Sequence, residues 1–162
     1  MVKIKEIRIR NFRSIVDITI IPKELNVFVG LNDSGKSNIL KALNLFFNNQ
    51  TDENCDFDFG IDYSKLTPKK VKKALEIVIQ IKLEIPDNYK DGGEYIWKKV
   101  WRSTSTIPYV DSLEDDIKNR KFSVYSKAPV LLKRIIYTYV PATKSNEYFM
   151  RLLGNLYTSD LT

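Results

Sequence analysis

The sequence predicts an α/β fold in which a strand–loop–helix unit lies beside several antiparallel strands. Isoleucines alternate with charged residues near the N-terminus and again over residues 77–85, as in half-buried strands. Between these regions, the apolar run 25–29 leads through a polar loop into large apolar residues at helical spacing. The 162 residues are enough for one domain with a hydrophobic core.

The first two predicted strands are close together in the chain. Alternation of isoleucine with arginine predicts a strand over residues 3–10, and Val16, Ile18 and Ile20 share one face of a second strand. Only the turn at 11–14, with the sequence NFRS, separates them. We therefore expect an antiparallel pair.

A third strand and a helix are predicted next. Residues 25–29, LNVFV, are apolar on both faces, as a central strand covered by other elements needs to be. Residues 39–47 carry the apolar stripe of an amphipathic helix, which we expect to end near Asn48 and Asn49. The further expected elements are a surface loop at 51–66, a hairpin of strands 77–85 and 95–103, a charged helix or loop at 111–121, a buried strand at 131–140 and a helix at 144–157.

Composition excludes several kinds of chemistry. Cys55 is the single cysteine, so an internal disulfide is impossible and a reducing, cytoplasmic compartment is the simplest expectation. The chain has no histidine, which removes histidine-based acid–base catalysis and histidine–metal sites. No run of about 18 apolar residues occurs, so we expect no membrane span. The net charge of +6 weakly favours anionic partners.

One motif combines these elements into a candidate site. It fits the phosphate-binding loop G-x-x-x-x-G-K-S/T, or Walker A motif. Its residues are Gly30, Leu31, Asn32, Asp33, Ser34, Gly35, Lys36 and Ser37.

Each residue type in this motif has a chemical reason. Glycines let backbone N–H groups approach a phosphate closely, and the helix that begins near Gly35 directs its unpaired N–H groups at the same anion. Lys36 can reach the β- and γ-phosphates, and the Ser37 hydroxyl is placed to ligate Mg²⁺. The alternative is a glycine turn with a surface lysine.

The sequence resembles the N-terminus of the SMC/RecF-type branch of ABC ATPases, and most closely the OLD-like (overcoming-lysogenization-defect) proteins. Three features carry the resemblance: the NFRS turn at 11–14, the NDS triplet at 32–34, and Asn38 directly after the Walker serine. The specific resemblance covers about residues 3–47, and a weaker one appears at 137–145, YTYVPATKS.

The resemblance implies a P-loop NTPase fold: the N-terminal lobe of an ABC-type head, with a mixed sheet around the Walker A helix and an antiparallel β subdomain. It implies ATP and Mg²⁺ as cofactors, with Ser37 as the Mg²⁺ ligand. Arg13 and Ser14 would lie near the base and ribose, although an ordinary turn between strands explains them as well. The implied nucleotide-binding residues are Arg13, Ser14, Gly30, Asn32, Asp33, Ser34, Gly35, Lys36, Ser37 and Asn38.

The sequence also departs from that family. It lacks the signature helix, the Walker B strand with its acidic pair, the switch histidine, and a glutamine around 141–145 that would help to hold Mg²⁺. We therefore expect residues 1–162 to form a single N-terminal lobe of a longer ATPase, with little hydrolysis by this chain alone and no assignable catalytic residue.

Basic clusters suggest a further partner. Heads of this type bind DNA, and mobile cations on one face are enough for phosphate contacts. The alternative is a solvated basic face, with Trp97 and Trp101 in the core. The candidate DNA contacts are Lys69, Lys70, Lys72 and Lys73, in one cluster with Lys65. Lys98, Lys99 and Arg102 form a second basic cluster, in the aromatic stretch 95–102.

Two functions from different classes follow. The first is an ATPase head that dimerises around ATP and couples this closure to DNA binding or processing, in DNA repair or anti-phage defence. OLD-like proteins carry a C-terminal Toprim nuclease, which would then be an attached domain or partner. The second is a nucleotide-binding regulatory module that controls a partner protein without hydrolysis.

Overall fold

The structure is a computed structural model that describes residues 2–31, 35–52, 55–68, 74–87, 89, 92–115, 128–132, 134–141, 150 and 153. Its main element is a five-stranded sheet in the order β2-β1-β5-β6-β7, in which every neighbouring pair is antiparallel. In chain order the elements are β1 (Lys3–Phe12), β2 (Ile15–Ile20), α1 (Lys36–Asn48), β3 (Gln50–Asp52), β4 (Cys55–Asp56), α2 (Phe59–Asp62), β5 (Glu76–Ile85), β6 (Gly93–Arg102), β7 (Val110–Asp115) and α3 (Ala128–Leu132).

The inner face of the sheet carries the hydrophobic core. Strand β5 is central, and cross-strand pairing aligns Ile81 with Ile7 of β1 on one side and with Trp97 of β6 on the other. Such directly opposed apolar pairs are what stabilises a sheet. Ile9 and Ile79 form the next such pair on β1 and β5, and both are fully buried.

Helix α1 lies on this inner face and contributes Ile39, Ala42, Leu45 and Phe46 to the core. The ring of Phe46 meets the ring of Trp97 edge to face, with their centroids 4.9 Å apart. The helix ends at the C-cap Asn49, which adopts the left-handed conformation that asparagine tolerates. The predicted amphipathic helix and its end at Asn48 and Asn49 are therefore confirmed.

The strand predictions agree with the structure in part. The hairpin of β1 and β2 and the hairpin of β5 and β6 are both present and antiparallel. The α/β class is confirmed, but the described strands form no mixed sheet. Val16, predicted to share a face with Ile18 and Ile20, is instead exposed, while Ile15 is buried. The positive φ of Asn11 interrupts the regular alternation at this end of the hairpin.

The predicted third strand is wrong. Residues 21–30 form no strand, and Leu25, Val27 and Val29 are 80%, 74% and 90% exposed. Apolarity on both faces suits a central strand, but a strand also needs a neighbour to accept its backbone hydrogen bonds. Within the described part of the chain, no strand pairs with this segment.

Three further predictions are corrected. The expected surface loop at 51–66 contains β3, β4 and α2, and it buries Thr51, Phe57, Asp62 and Ser64. The expected helix or loop at 111–121 begins as strand β7, which pairs with β6. The expected buried strand at 131–140 is the end of α3 followed by an extended segment outside any sheet. Almost all of the predicted helix at 144–157 lies outside the described residues.

The structure also bears on the single cysteine and on membrane-spanning helices. Cys55 is an exposed free thiol. Among the residues described, no helix has the length and apolar character to cross a membrane.

Truncation of the central strand should test this core. We expect Ile81→Ala to lower the free energy of unfolding by about 2–5 kcal/mol, because the side chain is fully buried and its loss leaves a cavity. Val27→Ala is the matched control, with an expected effect below about 0.5 kcal/mol, since Val27 is largely exposed. Denaturant unfolding of both variants measures the difference. An equal loss for Val27→Ala would contradict the exposed position of residues 25–29.

Candidate nucleotide-binding site

The tip of the β1–β2 hairpin is shaped by two residues in the left-handed conformation, Asn11 and Arg13. The backbone N–H of Arg13 donates to the carbonyl of Asp62 over 2.7 Å, and the N–H of Ser64 donates to the carbonyl of Asn11 over 3.0 Å. These bonds attach the hairpin tip to the segment that follows α2. The turn is therefore held from outside and does not project freely into solvent.

A buried ion pair strengthens this attachment. The Nε of Arg13 donates to Oδ1 of Asp62 over 2.8 Å, and Asp62 is only 1% exposed. The second carboxylate oxygen of Asp62 accepts from the backbone N–H of Asp58 over 3.0 Å. Arg13 thus compensates a buried negative charge, a structural role that the sequence did not reveal.

Ser14, the next residue, lies directly against the phosphate-binding loop. Its hydroxyl accepts a hydrogen bond from Nδ2 of Asn38 over 2.9 Å. A Cβ added to Gly35 would lie 2.6 Å from the same oxygen, closer than non-bonded atoms can approach. Gly35 also has a φ of 89°, which favours glycine. The glycine of the motif is therefore required both by its backbone conformation and by the closeness of Ser14.

The lysine of the motif folds back over the loop. Its Nζ donates to the carbonyl oxygens of Gly30 and Leu31, over 2.7 and 2.6 Å. These bonds bring Gly30 and Leu31 next to the ammonium group of Lys36, the first residue of α1. The strand expected to precede the motif is absent from the described residues 21–30.

The start of α1 has the properties of an anion site. Its N-cap is Gly35, which has no side chain to bond the first N–H groups, and the first turn carries no acidic residue. The N-terminal amides, the positive end of the helix dipole and the Lys36 ammonium converge at the same place. Ser37 is exposed in the first turn, so its hydroxyl is accessible. These groups fit the phosphates of a nucleotide.

A cavity of about 250 Å³ opens beside Ser37. One wall is helix α1, and the other is the extended segment that ends at Pro141. The lining residues are Ser37, Leu40, Lys41, Asp52, Tyr139, Val140 and Pro141.

The extended segment is attached to the helix by specific contacts. The hydroxyl of Tyr137 donates to the carbonyl of Leu40 over 3.0 Å, and Nδ2 of Asn48 donates to the carbonyl of Tyr137 over 3.0 Å. The rings of Phe47 and Tyr137 stack with centroids 5.6 Å apart. Burial raises the pKa of Tyr137 to about 12, so the hydroxyl remains a donor at neutral pH.

Within the cavity, Asp52 forms an ion pair with Lys41. Asp52 also forms a hydrogen bond with Tyr139. Burial, followed by the nearby Asp52 carboxylate, raises the pKa of Tyr139 to about 12. Neither Asp52 nor Tyr139 was predicted as a site residue, because both lie outside the recognised motif.

The structure brings a subset of the predicted site residues together. Ser14, Gly35 and Asn38 are in contact, and Lys36 bonds to the carbonyl of Gly30. Arg13 lies on the same hairpin tip as Ser14, with its guanidinium group bonded to Asp62. The predicted residues outside the described part of the chain are Asn32, Asp33, Ser34, Lys69, Lys70, Lys72 and Lys73.

Two of the neighbouring basic residues have other roles. Lys99 is buried and its Nζ donates to the carbonyl of Phe46, so it is not available to a DNA phosphate. Arg102 bonds to Glu76 through both Nε and Nη2, which raises the pKa of Arg102. Trp101 is fully buried, as the alternative interpretation of this stretch expected.

The role of Arg13 as a buried ion-pair partner can be tested by stability. We expect Arg13→Ala to lower the free energy of unfolding by about 3 kcal/mol, because it leaves the Asp62 carboxylate buried without a compensating charge. Adding Asp62→Asn to this variant should recover part of the loss. Urea unfolding of the single and double variants measures both effects. An Arg13→Ala variant as stable as the wild type would contradict the ion-pair role.

Comparisons with known proteins place the chain in a family. The chain matches the family described as AAA ATPase domain over residues 2–153. No curated protein matches it significantly. A solved structure of the recombination mediator protein RecF with ATP in the RecFOR pathway is similar, with 18% identity and a TM-score of 0.46. That similarity covers 70% of this chain and 27% of the RecF chain, so this chain spans less than a third of that protein. Because the family match extends over nearly the whole sequence, the chain belongs to the AAA ATPase domain family.

Proposed function

We propose that this chain binds ATP through the loop Gly30–Ser37 as the nucleotide-binding part of an ATPase head. Membership of an ATPase family implies nucleotide binding. The observation that carries the proposal is the position of Lys36, whose ammonium bonds to the loop carbonyls at the uncapped start of α1. An ammonium at this position can exchange a carbonyl oxygen for a phosphate oxygen, since lysine carries three donor hydrogens.

In this proposal, each group of the site contacts a different part of the bound nucleotide. The N-terminal amides of α1 receive the phosphates, Lys36 neutralises part of their charge, and Ser37 holds the metal ion. Mg²⁺, when bound, would shield the negative charge that builds on the phosphates. Ser14 and Asn38 keep the loop in place, because their hydrogen bond joins the hairpin tip to the first turn of the helix.

We also propose which type of ATPase the complete protein is. We place the chain in the N-terminal lobe of an SMC/RecF-type ABC head, closest to OLD-like ATPases, on the NFRS turn at 11–14 and the residues around the motif. Such a protein hydrolyses ATP as a cytoplasmic homodimer and couples hydrolysis to DNA processing, in DNA repair or anti-phage defence. A Toprim nuclease is the candidate partner or attached domain.

A regulatory nucleotide-binding module is the second candidate. It requires only the phosphate-binding groups at the start of α1, namely the helix N-terminus and Lys36. Hydrolysis needs a carboxylate to orient the attacking water, whereas binding alone does not. The two candidates differ in ATP turnover by the complete protein: sustained release of phosphate supports the ATPase head, and tight binding without release supports the module.

Removal of the motif lysine tests the binding proposal. We expect Lys36→Ala to weaken ATP binding by about 10- to 100-fold, because charge-assisted hydrogen bonds contribute roughly 1.5–3 kcal/mol. Isothermal titration of ATP with Mg²⁺ into both proteins measures this change.

Lys98→Ala is the matched control. Lys98 lies on β6, where its neighbour Lys99 faces α1, so Lys98 is on the opposite face of the sheet from the loop. Lys98→Ala should bind ATP as the wild type does. Equal binding by Lys36→Ala and the wild type would rule out the phosphate-loop assignment.

DNA binding is a separate proposal and needs its own test. We expect replacement of Lys69, Lys70, Lys72 and Lys73 by glutamate to weaken binding to duplex DNA and to flatten its dependence on salt concentration. Fluorescence anisotropy at several salt concentrations provides the measurement. Unchanged affinity and slope would remove these lysines as DNA contacts, and would leave the ATP site unaffected.

A further inference from the structure

The cavity beside Ser37 contains a carboxylate that the proposed function does not use. Ser37 and Lys41 are four residues apart on α1, so they lie one turn apart on the same face of the helix. Side chains on a helix lean toward its N-terminus, which directs Lys41 toward the turn that carries Ser37. Asp52, which pairs with Lys41, therefore lies on the side of the helix from which Ser37 is reached.

The chain places Asp52 there by folding back along the helix. After α1 ends at Asn49 in the left-handed conformation, β3 runs from Gln50 to Asp52 and pairs with β4. Asp52 is the last residue of β3, and its side chain is 29% exposed. It is accessible from the cavity but is not a freely solvated surface group.

Two neighbours hold this carboxylate in position. Lys41 pairs with it from the helix, and Tyr139 hydrogen-bonds to it from the extended segment on the opposite wall. The carboxylate so held lines the same cavity as Ser37. Among the described residues that line this cavity, Asp52 is the one carboxylate.

Mg²⁺ in nucleotide sites keeps several of its waters and is bound by one or two carboxylates together with the phosphates. Ser37 offers a neutral hydroxyl, and a carboxylate in the same cavity adds the negative charge that a divalent cation prefers. We propose that Asp52 is an additional positioning residue of the metal site, which attracts the nucleotide-bound Mg²⁺ to Ser37 directly or through its water shell. This inference rests on the proposed ATP binding.

The Mg²⁺ dependence of ATP binding tests it. ATP affinity is measured by isothermal titration across a series of Mg²⁺ concentrations and in EDTA. For Asp52→Asn we expect the Mg²⁺ concentration that gives half of the affinity gain to rise about 10-fold or more, in the range seen for residues that support a metal site. Affinity in EDTA should stay unchanged.

Control variants separate a metal role from a structural one. Asp56→Asn removes an exposed carboxylate from the neighbouring strand β4 and should behave as the wild type does. Lys41→Met breaks the ion pair but keeps the Asp52 carboxylate, so it should retain the Mg²⁺ response. If Lys41→Met and Asp52→Asn lose that response equally, the carboxylate acts only as an ion-pair partner and the inference is overturned.

The remaining outcomes are also decisive. A wild-type chain that binds no ATP at any Mg²⁺ concentration overturns the proposed function itself. A wild type that responds to Mg²⁺, with Asp52→Asn responding identically, overturns this inference alone. If Asp52→Asn fails to fold, the Mg²⁺ dependence of ATP binding is measured on Tyr139→Phe instead. This variant keeps the ion pair between Lys41 and Asp52 and removes the hydroxyl that orients the carboxylate. A raised Mg²⁺ requirement supports the inference, and an unchanged one overturns it.

Discussion

The packing of helix α1 on the inner face of the sheet is the constraint on which the candidate site depends. Ile39, Ala42, Leu45 and Phe46 are buried against the isoleucines of β1 and β5. Burial of each of the three large side chains, Ile39, Leu45 and Phe46, contributes about 1.5–3 kcal/mol, so the helix has one strongly preferred position. Its N-terminus, with Lys36 and Ser37, is placed by that preference. The anion site is thus positioned by a core that contains none of the motif residues.

Polar anchors at both ends of the helix refine this position. At the C-terminal end, buried Lys99 donates to the carbonyl of Phe46, one of the carbonyls that no later turn can satisfy. At the N-terminal end, Ser14 receives a hydrogen bond from Asn38 and packs against Gly35. The same hairpin is joined to the α2 segment through Arg13 and Asp62. The start of α1 is therefore joined through Ser14 to the hairpin that includes β2, an edge strand of the sheet.

The parts of the structure that were predictable are those determined by local pattern. The alternation in β5 and the apolar stripe of α1 each reflect contact with one core, and both predictions are confirmed. The motif likewise predicted Gly35 and Lys36 as site residues from spacing alone, and the structure places both at the start of α1. Asp52, Asp62 and Tyr139 could not be found in this way, since their roles arise from contacts between segments that are distant in sequence. The strand predicted over residues 25–29 is wrong for a related reason. The composition of this segment indicates a strand, but a strand must pair with a neighbouring strand, which a local pattern cannot reveal.

The exposed segment 25–31 has a practical consequence for the protein in solution. Its sequence, LNVFVGL, combines high β-propensity with no charge and no proline, and its backbone is not part of any sheet. Segments of this kind pair readily with copies of themselves. Contact between copies of the protein at high concentration is therefore expected at this segment, which lies outside the core.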